Sequence, residues 1–138
     1  MTNRTFAIIK PDAVKSNYVG KIYNHILDKG FKILSAKLIK MSKYQAEQFY
    51  FIHKDKPFYE ELTNFMSSGR CMVLALQKEN AVEYWREVIG ATNPNEAEDG
   101  TIRQLYANSL GENAVHGSDS NENAVKEISF FFTESELI

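Results

Sequence analysis

Two periods of apolar and polar residues alternate along this chain, and each change of period marks an element. RTFAIIK, Arg4 to Lys10, is short, aromatic and β-branched, which predicts a buried strand ended by Pro11. Val19, Ile22, Tyr23, Ile26 and Leu27 then recur at helical spacing on one face, with Lys29 as a C-terminal cation and Gly30 as a cap glycine. FKILSAKLI returns to strand character, with Leu34, Ala36 and Leu38 alternating with Ser35 and Lys37. Ser42 followed by Gln45 is a capping-box signature that opens a helix through Phe49 and Tyr50. Lys56-Pro57 breaks it, and Phe58, Leu62, Phe65 and Met66 continue on a new helix ending near Gly69. CMVLALQ is the most continuous apolar run and predicts a central strand. The next helix has Ala81, Tyr84, Trp85, Val88 and Ile89 as its apolar set.

From Gly90 to Gly117 the periodicity weakens, in a stretch too long for an ordinary connector. TIRQLYA inside it predicts a short helix, and a fourth strand is expected around NAVHG. Ala124, Val125, Ile128, Phe131 and Phe132 mark a last amphipathic helix. Strands separated by helices permit a β-α-β-β-α-β core with helices on one face of the sheet, or a parallel doubly wound sheet. Periodicity does not choose between them.

Composition adds bounds. At 138 residues, with 43% hydrophobic and 25% charged residues, the chain is expected to form a single domain spanning 1–138. A net charge of −2 disfavours specific nucleic-acid binding but leaves room for phosphate ligands held by a local cationic cluster. The single Cys71 lies in the apolar run and is read as a buried strand residue. No stretch has the length of a membrane span or the apolar core of a signal peptide, so a cytoplasmic protein is expected.

Chemistry concentrates at NAVHGSDS, Asn113 to Ser120. His116 is followed by small residues, and Ser118, Asp119 and Ser120 are all suited to cap the last helix. The positive end of that helix would favour an anion near the imidazole. Neutral imidazole can accept a phosphoryl group and pass it on, provided another group fixes its tautomer. Glu127 is the candidate, through Ser118. A lone loop histidine is more often a solvated residue than a catalyst, and His25 and His53 are read in that way.

The wider pattern adds what a lone histidine lacks. NAVHGSDS, with IIKPDAV, KPF, GATNP and GTIR in order along the chain, resembles the nucleoside diphosphate kinase family from end to end. The resemblance implies a ferredoxin-like α+β fold with a four-stranded antiparallel sheet and covering helices. It implies transfer of a γ-phosphoryl group from a nucleoside triphosphate to a nucleoside diphosphate by a ping-pong route through a phosphohistidine on His116. It also implies Mg²⁺ held mainly by the nucleotide phosphates, without a protein metal cage. By the same resemblance, Lys10, Arg86, Thr92 and Arg103 meet phosphates, Phe58 and Leu110 flank the base, and Asn113 meets the ribose. Tyr50 lies near the histidine, and Ser118 and Glu127 orient it. ATP and other nucleoside di- and triphosphates are the expected partners. Assembly into a homo-oligomer, a tetramer or hexamer built from dimers, is expected as well.

The chain departs from the family pattern at three places. Arg70 follows Ser68-Gly69 where the family usually has proline, which restores a backbone N–H and loosens the turn. Ile52 stands where many members carry a carboxylate, and Gln104-Leu105 replaces a small-plus-acidic pair beside Arg103.

Overall fold

The computed structural model describes residues 3–138. Four strands, β1 (Arg4–Ile9), β2 (Lys32–Lys40), β3 (Arg70–Gln77) and β4 (Val115–Gly117), form one sheet in the order β2-β3-β1-β4. Every neighbouring pair is antiparallel, which excludes the doubly wound alternative. The α-helices are α1 (Pro11–Lys15), α2 (Val19–Asp28), α3 (Lys43–Phe49), α4 (Tyr59–Met66), α5 (Ala81–Ile89), α6 (Ile102–Tyr106) and α7 (Asn121–Phe131). The expected α+β ferredoxin-like arrangement of strands and helices is present, with CMVLALQ in an interior strand.

Helices cover both faces of the sheet rather than one. β1 is buried at five successive positions, and such a strand needs cover on each side. Ala7 and Ile9 join Ile22, Ile26, Leu74, Leu76 and Trp85 in one core, under α2 and α5. Phe6 and Ile8 join Val73, Ala75, Ala46, Met66 and Ile128 in the other, under α3, α4 and α7. Cys71 is fully buried in the second core, where burial pushes its thiol up to about 12.

Two local expectations are revised. In β2, a bulge between Ile33 and Ser35 leaves Leu34 buried and turns Ala36 and Leu38 to the opposite, open part of the sheet. One inserted residue reverses the alternation downstream of it. Lys37 therefore takes the inner side, where its Nζ donates to the Phe131 carbonyl at 2.8 Å and meets Glu136. Secondly, Pro11 ends β1 but also opens α1 at its first turn, where its missing N–H costs nothing.

Elsewhere local chemistry matches the pattern. Ser42 and Gln45 form the full capping box of α3. Gly30 follows α2 at φ 85°, a conformation that glycine adopts without a Cβ penalty. Arg70 begins β3 opposite Lys40, so the restored N–H lies at a strand end.

Candidate active site

β4 lies at the sheet edge beside β1, with His116 opposite Ile8. Side chains opposite each other share a face, so the imidazole lies on the α3 and α7 side. Three aromatic rings stand edge-on around it, Phe49 at 5.6 Å, Phe6 at 6.0 Å and Tyr50 at 6.2 Å between centroids. Ser120 is the residue that caps α7, its side chain accepting from the Asn123 N–H at 3.1 Å. That leaves Ser118 free for another task.

Glu127 reaches back along α7, as helical side chains do. Its Oε1 lies 2.9 Å from His116 Nε2 and accepts from Ser118 Oγ at 2.8 Å. Contact with the histidine is thus direct rather than relayed by Ser118, and the serine holds the same carboxylate oxygen. Ser118 is itself fully buried and accepts the Phe6 N–H at 3.3 Å. A carboxylate accepts only, so Nε2 carries the proton and Nδ1 keeps its lone pair.

This imidazole opens into a cleft of about 1070 Å³. Lys10, Tyr50, Phe58, Arg86, Thr92, Arg103, Asn113 and Glu127 line it together with His116. Lys10 Nζ, at the end of β1, donates to Asn113 Oδ1 at 2.8 Å, and Asn113 Nδ2 donates to the Thr92 carbonyl at 3.3 Å. Burial and the nearby Arg103 lower the Lys10 ammonium to about 8, against a smaller opposing pull from Asp12.

Arg103 is clamped by backbone. Its Nη1 donates to Gly90 O at 3.0 Å, Nη2 to Val115 O at 2.9 Å and Nε to Asn113 O at 3.3 Å. Each terminal nitrogen keeps one further N–H for a ligand. Burial, with Arg86 nearby, lowers its guanidinium to about 10, so it stays charged at neutral pH. Arg86 is exposed and lines the same cleft from α5. Tyr50 is buried, its hydroxyl has no partner among the described residues, and burial with Glu127 nearby raises its pKa.

Two sequence candidates lie farther out, one at the rim of the cleft and one beyond it. Phe58 is at the rim, 46% exposed and 5.6 Å from the His53 ring. Leu110 is 60% exposed and outside the cleft walls, so the two do not form a closed slot. His53, read as a solvated residue, is half-buried and lines the cleft, and so does the exposed Ile52. At the third departure, Gln104 Oε1 accepts the Gly100 N–H at 3.1 Å, tying down the loop before Arg103, while Leu105 is exposed.

Sequence reasoning missed Trp85, whose Nε1 donates to the His116 carbonyl at 3.2 Å. A Cβ on Gly117 would come within 2.8 Å of the Trp85 ring, so the glycine after His116 is a packing requirement. Its position directly after the histidine was the available signal. Asp12 was also passed over, although it is 8% exposed and bonds the backbone before His116. Its place in IIKPDAV, one of the motifs that carry the family resemblance, was the available signal.

The nucleoside diphosphate kinase family model matches residues 3–137. A nucleoside diphosphate kinase of Phenylobacterium zucineum is 57% identical over 138 residues, covering 100% of this chain and 99% of that protein. One from Persephonella marina is 54% identical over 135 residues, covering 98% and 96%. Among solved structures, the Aquifex aeolicus nucleoside diphosphate kinase superposes with a TM-score of 0.98 at 38% identity, over the full length of both chains. The Halobacterium salinarum enzyme, solved in complex with CDP, gives 0.94 at 35% identity, covering 100% of this chain and 92% of that one. With Lys10, Arg86 and Arg103 gathered in one cleft with a carboxylate-held histidine, this chain belongs to the nucleoside diphosphate kinase family.

Proposed function

We propose that the protein moves the γ-phosphoryl group of a nucleoside triphosphate onto His116 Nδ1 and then onto a nucleoside diphosphate. The observation that carries this reading is the Glu127 contact at Nε2, which leaves Nδ1 as the nitrogen with a free lone pair in the cleft that Lys10, Arg86 and Arg103 also line. In the first half-reaction Nδ1 forms a bond to the γ-phosphorus as the bond to the β,γ-bridging oxygen breaks, and the nucleoside diphosphate leaves. Glu127 offsets the positive charge that grows on the ring. In the second half, a terminal oxygen of another diphosphate attacks the phosphorus and Nδ1 departs with its electron pair.

Arg86, Arg103 and Lys10 supply positive charge to the phosphates, where charge shifts during transfer. Thr92 adds a hydroxyl donor, Asn113 meets the ribose, and Tyr50, whose buried hydroxyl has no partner among the described residues, stands beside the imidazole. Phe58 at the rim gives a base a stacking surface, with Leu110 moving in from its exposed loop to complete it. Stacking without a closed polar slot fits tolerance of many bases.

Mg²⁺ is the expected cofactor. Among the described residues no group of three or more His, Cys, Asp or Glu could hold a metal ion. The cleft does offer the Asp119 carboxylate, a donor type suited to Mg²⁺ alongside phosphate oxygens and water. Bound there, the ion would neutralise phosphate charge.

The role that follows is maintenance of nucleoside triphosphate pools in the cytoplasm, by a homo-oligomer built from dimers as a tetramer or hexamer. Among the described residues no helix is long and apolar enough to cross a membrane. Light scattering should give a mass of four or six times 15.8 kDa.

Incubation with γ-labelled ATP tests the chemistry. The wild type should take up acid-labile label and release it on addition of an unlabelled diphosphate, and His116→Ala should take up none. Label persisting in His116→Ala would overturn the assignment.

A further inference from the structure

Ala114, one residue before β4, is a fully buried alanine at φ 71°. Val115 N donates to Asn113 O at 2.8 Å across it, so Asn113–Val115 is a γ-turn of the rare hand. An alanine does not hold this conformation unaided, and such residues persist only where their surroundings over-determine them. Here the surroundings do so through both polar groups of Ala114. Its carbonyl accepts the Lys10 N–H at 2.8 Å, and its N–H donates to Asp12 Oδ2 at 3.1 Å.

Asp12 is placed for this by α1, the short helix opened by Pro11. It is 8% exposed, and its second oxygen, Oδ1, has no partner among the described residues. Burying a carboxylate with half its acceptors unused is unfavourable unless the bond it does make is needed. That bond stands at the point where the chain reverses. On one side Asn113 presents its side chain to Lys10 Nζ, and on the other His116 enters β4.

We propose that Asp12 is a positioning residue for the phosphoryl transfer, acting through the Ala114 N–H to hold the strained turn that sets Asn113, Lys10 and His116 in one register. Asp12 does not line the cleft, so it acts without touching substrate. The inference rests on the phosphohistidine reading for its kinetic consequence but not for its structural one.

The test compares Asp12→Ala, Asp12→Asn and Asp12→Ala/Ala114→Gly with the wild type. Asparagine keeps an acceptor oxygen, and glycine takes φ near +70° without strain. Asp12→Ala should lower kcat on the order of ten- to a hundredfold, since small displacements of reacting groups have effects of that size. Asp12→Asn should stay within about threefold of wild type, and the glycine double variant should recover most of the loss. A structural role alone would not make glycine at 114 rescue alanine at 12.

Amide exchange at Ala114, read by NMR, should be fast in Asp12→Ala and slow in wild type and Asp12→Asn. Equal kcat in wild type and Asp12→Ala overturns the proposal, as does failure of Ala114→Gly to rescue. If Asp12→Ala does not fold, the Asn variant decides: a loss as large as that of Lys10→Ala overturns it. Exchange at 114 that follows the prediction in a protein whose wild type takes up no histidine label would sink the phosphohistidine reading and leave the turn assignment standing.

Discussion

Lys10 shows how burial tunes a single residue. Its ammonium is lowered to about 8 by desolvation and by Arg103, and it faces the phosphates of the proposed substrate. Above pH 8 it loses its charge, so nucleotide affinity should fall as pH rises through 8, well before an exposed lysine would titrate. A pH series of Kd for a nucleoside diphosphate measures this, and Lys10→Gln should flatten the step. Stability of the free protein moves the other way. Between about pH 8 and 10.5 the unfolded chain holds a proton at this site that the folded chain has lost, so the Lys10 contribution to stability rises with pH in that window. At Glu127, alanine should lower kcat at least about tenfold with KM nearly unchanged, because the carboxylate meets the imidazole rather than the nucleotide. An unchanged kcat would undo the orienting role. His116, Glu127 and Ser118 were readable in the sequence as a set, because their motif is specific. Direct contact of Glu127 with Nε2 was not, since it depends on where α7 packs.

At the scale of elements, capping and close packing give separable predictions. Ser42→Ala removes the Oγ that accepts the Gln45 N–H, one half of the α3 capping box, and should destabilise the protein by about 1 kcal/mol in urea melts. Activity should be little altered, as Ser42 is remote from the cleft lining. Gly117→Ala brings a Cβ to 2.8 Å from Trp85 and should cost about 1–3 kcal/mol. It should also lower kcat, because Trp85 holds the His116 carbonyl. α2, α5 and α7 were legible from their 3.6-residue period, and α3 from its capping box. α1 was not, because a proline that stops a strand and one that starts a helix look the same in sequence. The register of β2 was lost at a one-residue bulge, since alternation carries no mark of where it slips.

For the whole molecule, the cleft brings Lys10, Arg86 and Arg103 together on a chain of net charge −2. Binding there should stabilise the fold by mass action. A nucleoside diphosphate at a hundredfold excess over Kd should add about 2.7 kcal/mol, or roughly 9 °C in Tm for a chain of this size. Arg86→Ala should gain visibly less at the same nucleotide concentration, and an equal shift would remove Arg86 from the phosphate site.

What the sequence determined by itself was the set of elements with strong period, the antiparallel α+β class once the family resemblance was read, and a part of the cleft lining that includes Lys10, Arg86, Arg103, His116 and Glu127 but neither excludes Leu110 nor includes His53. These depend on local spacing and on specific motifs, both of which are linear information. Tertiary structure alone decided that helices cover both faces of the sheet, that the Asn113–Val115 turn is held by Asp12 and Lys10 from the far end of the chain, and that Gly117 is bounded by Trp85. Each of those rests on contacts between residues distant in sequence. Such contacts are set by how strands register and helices dock, which no local pattern encodes.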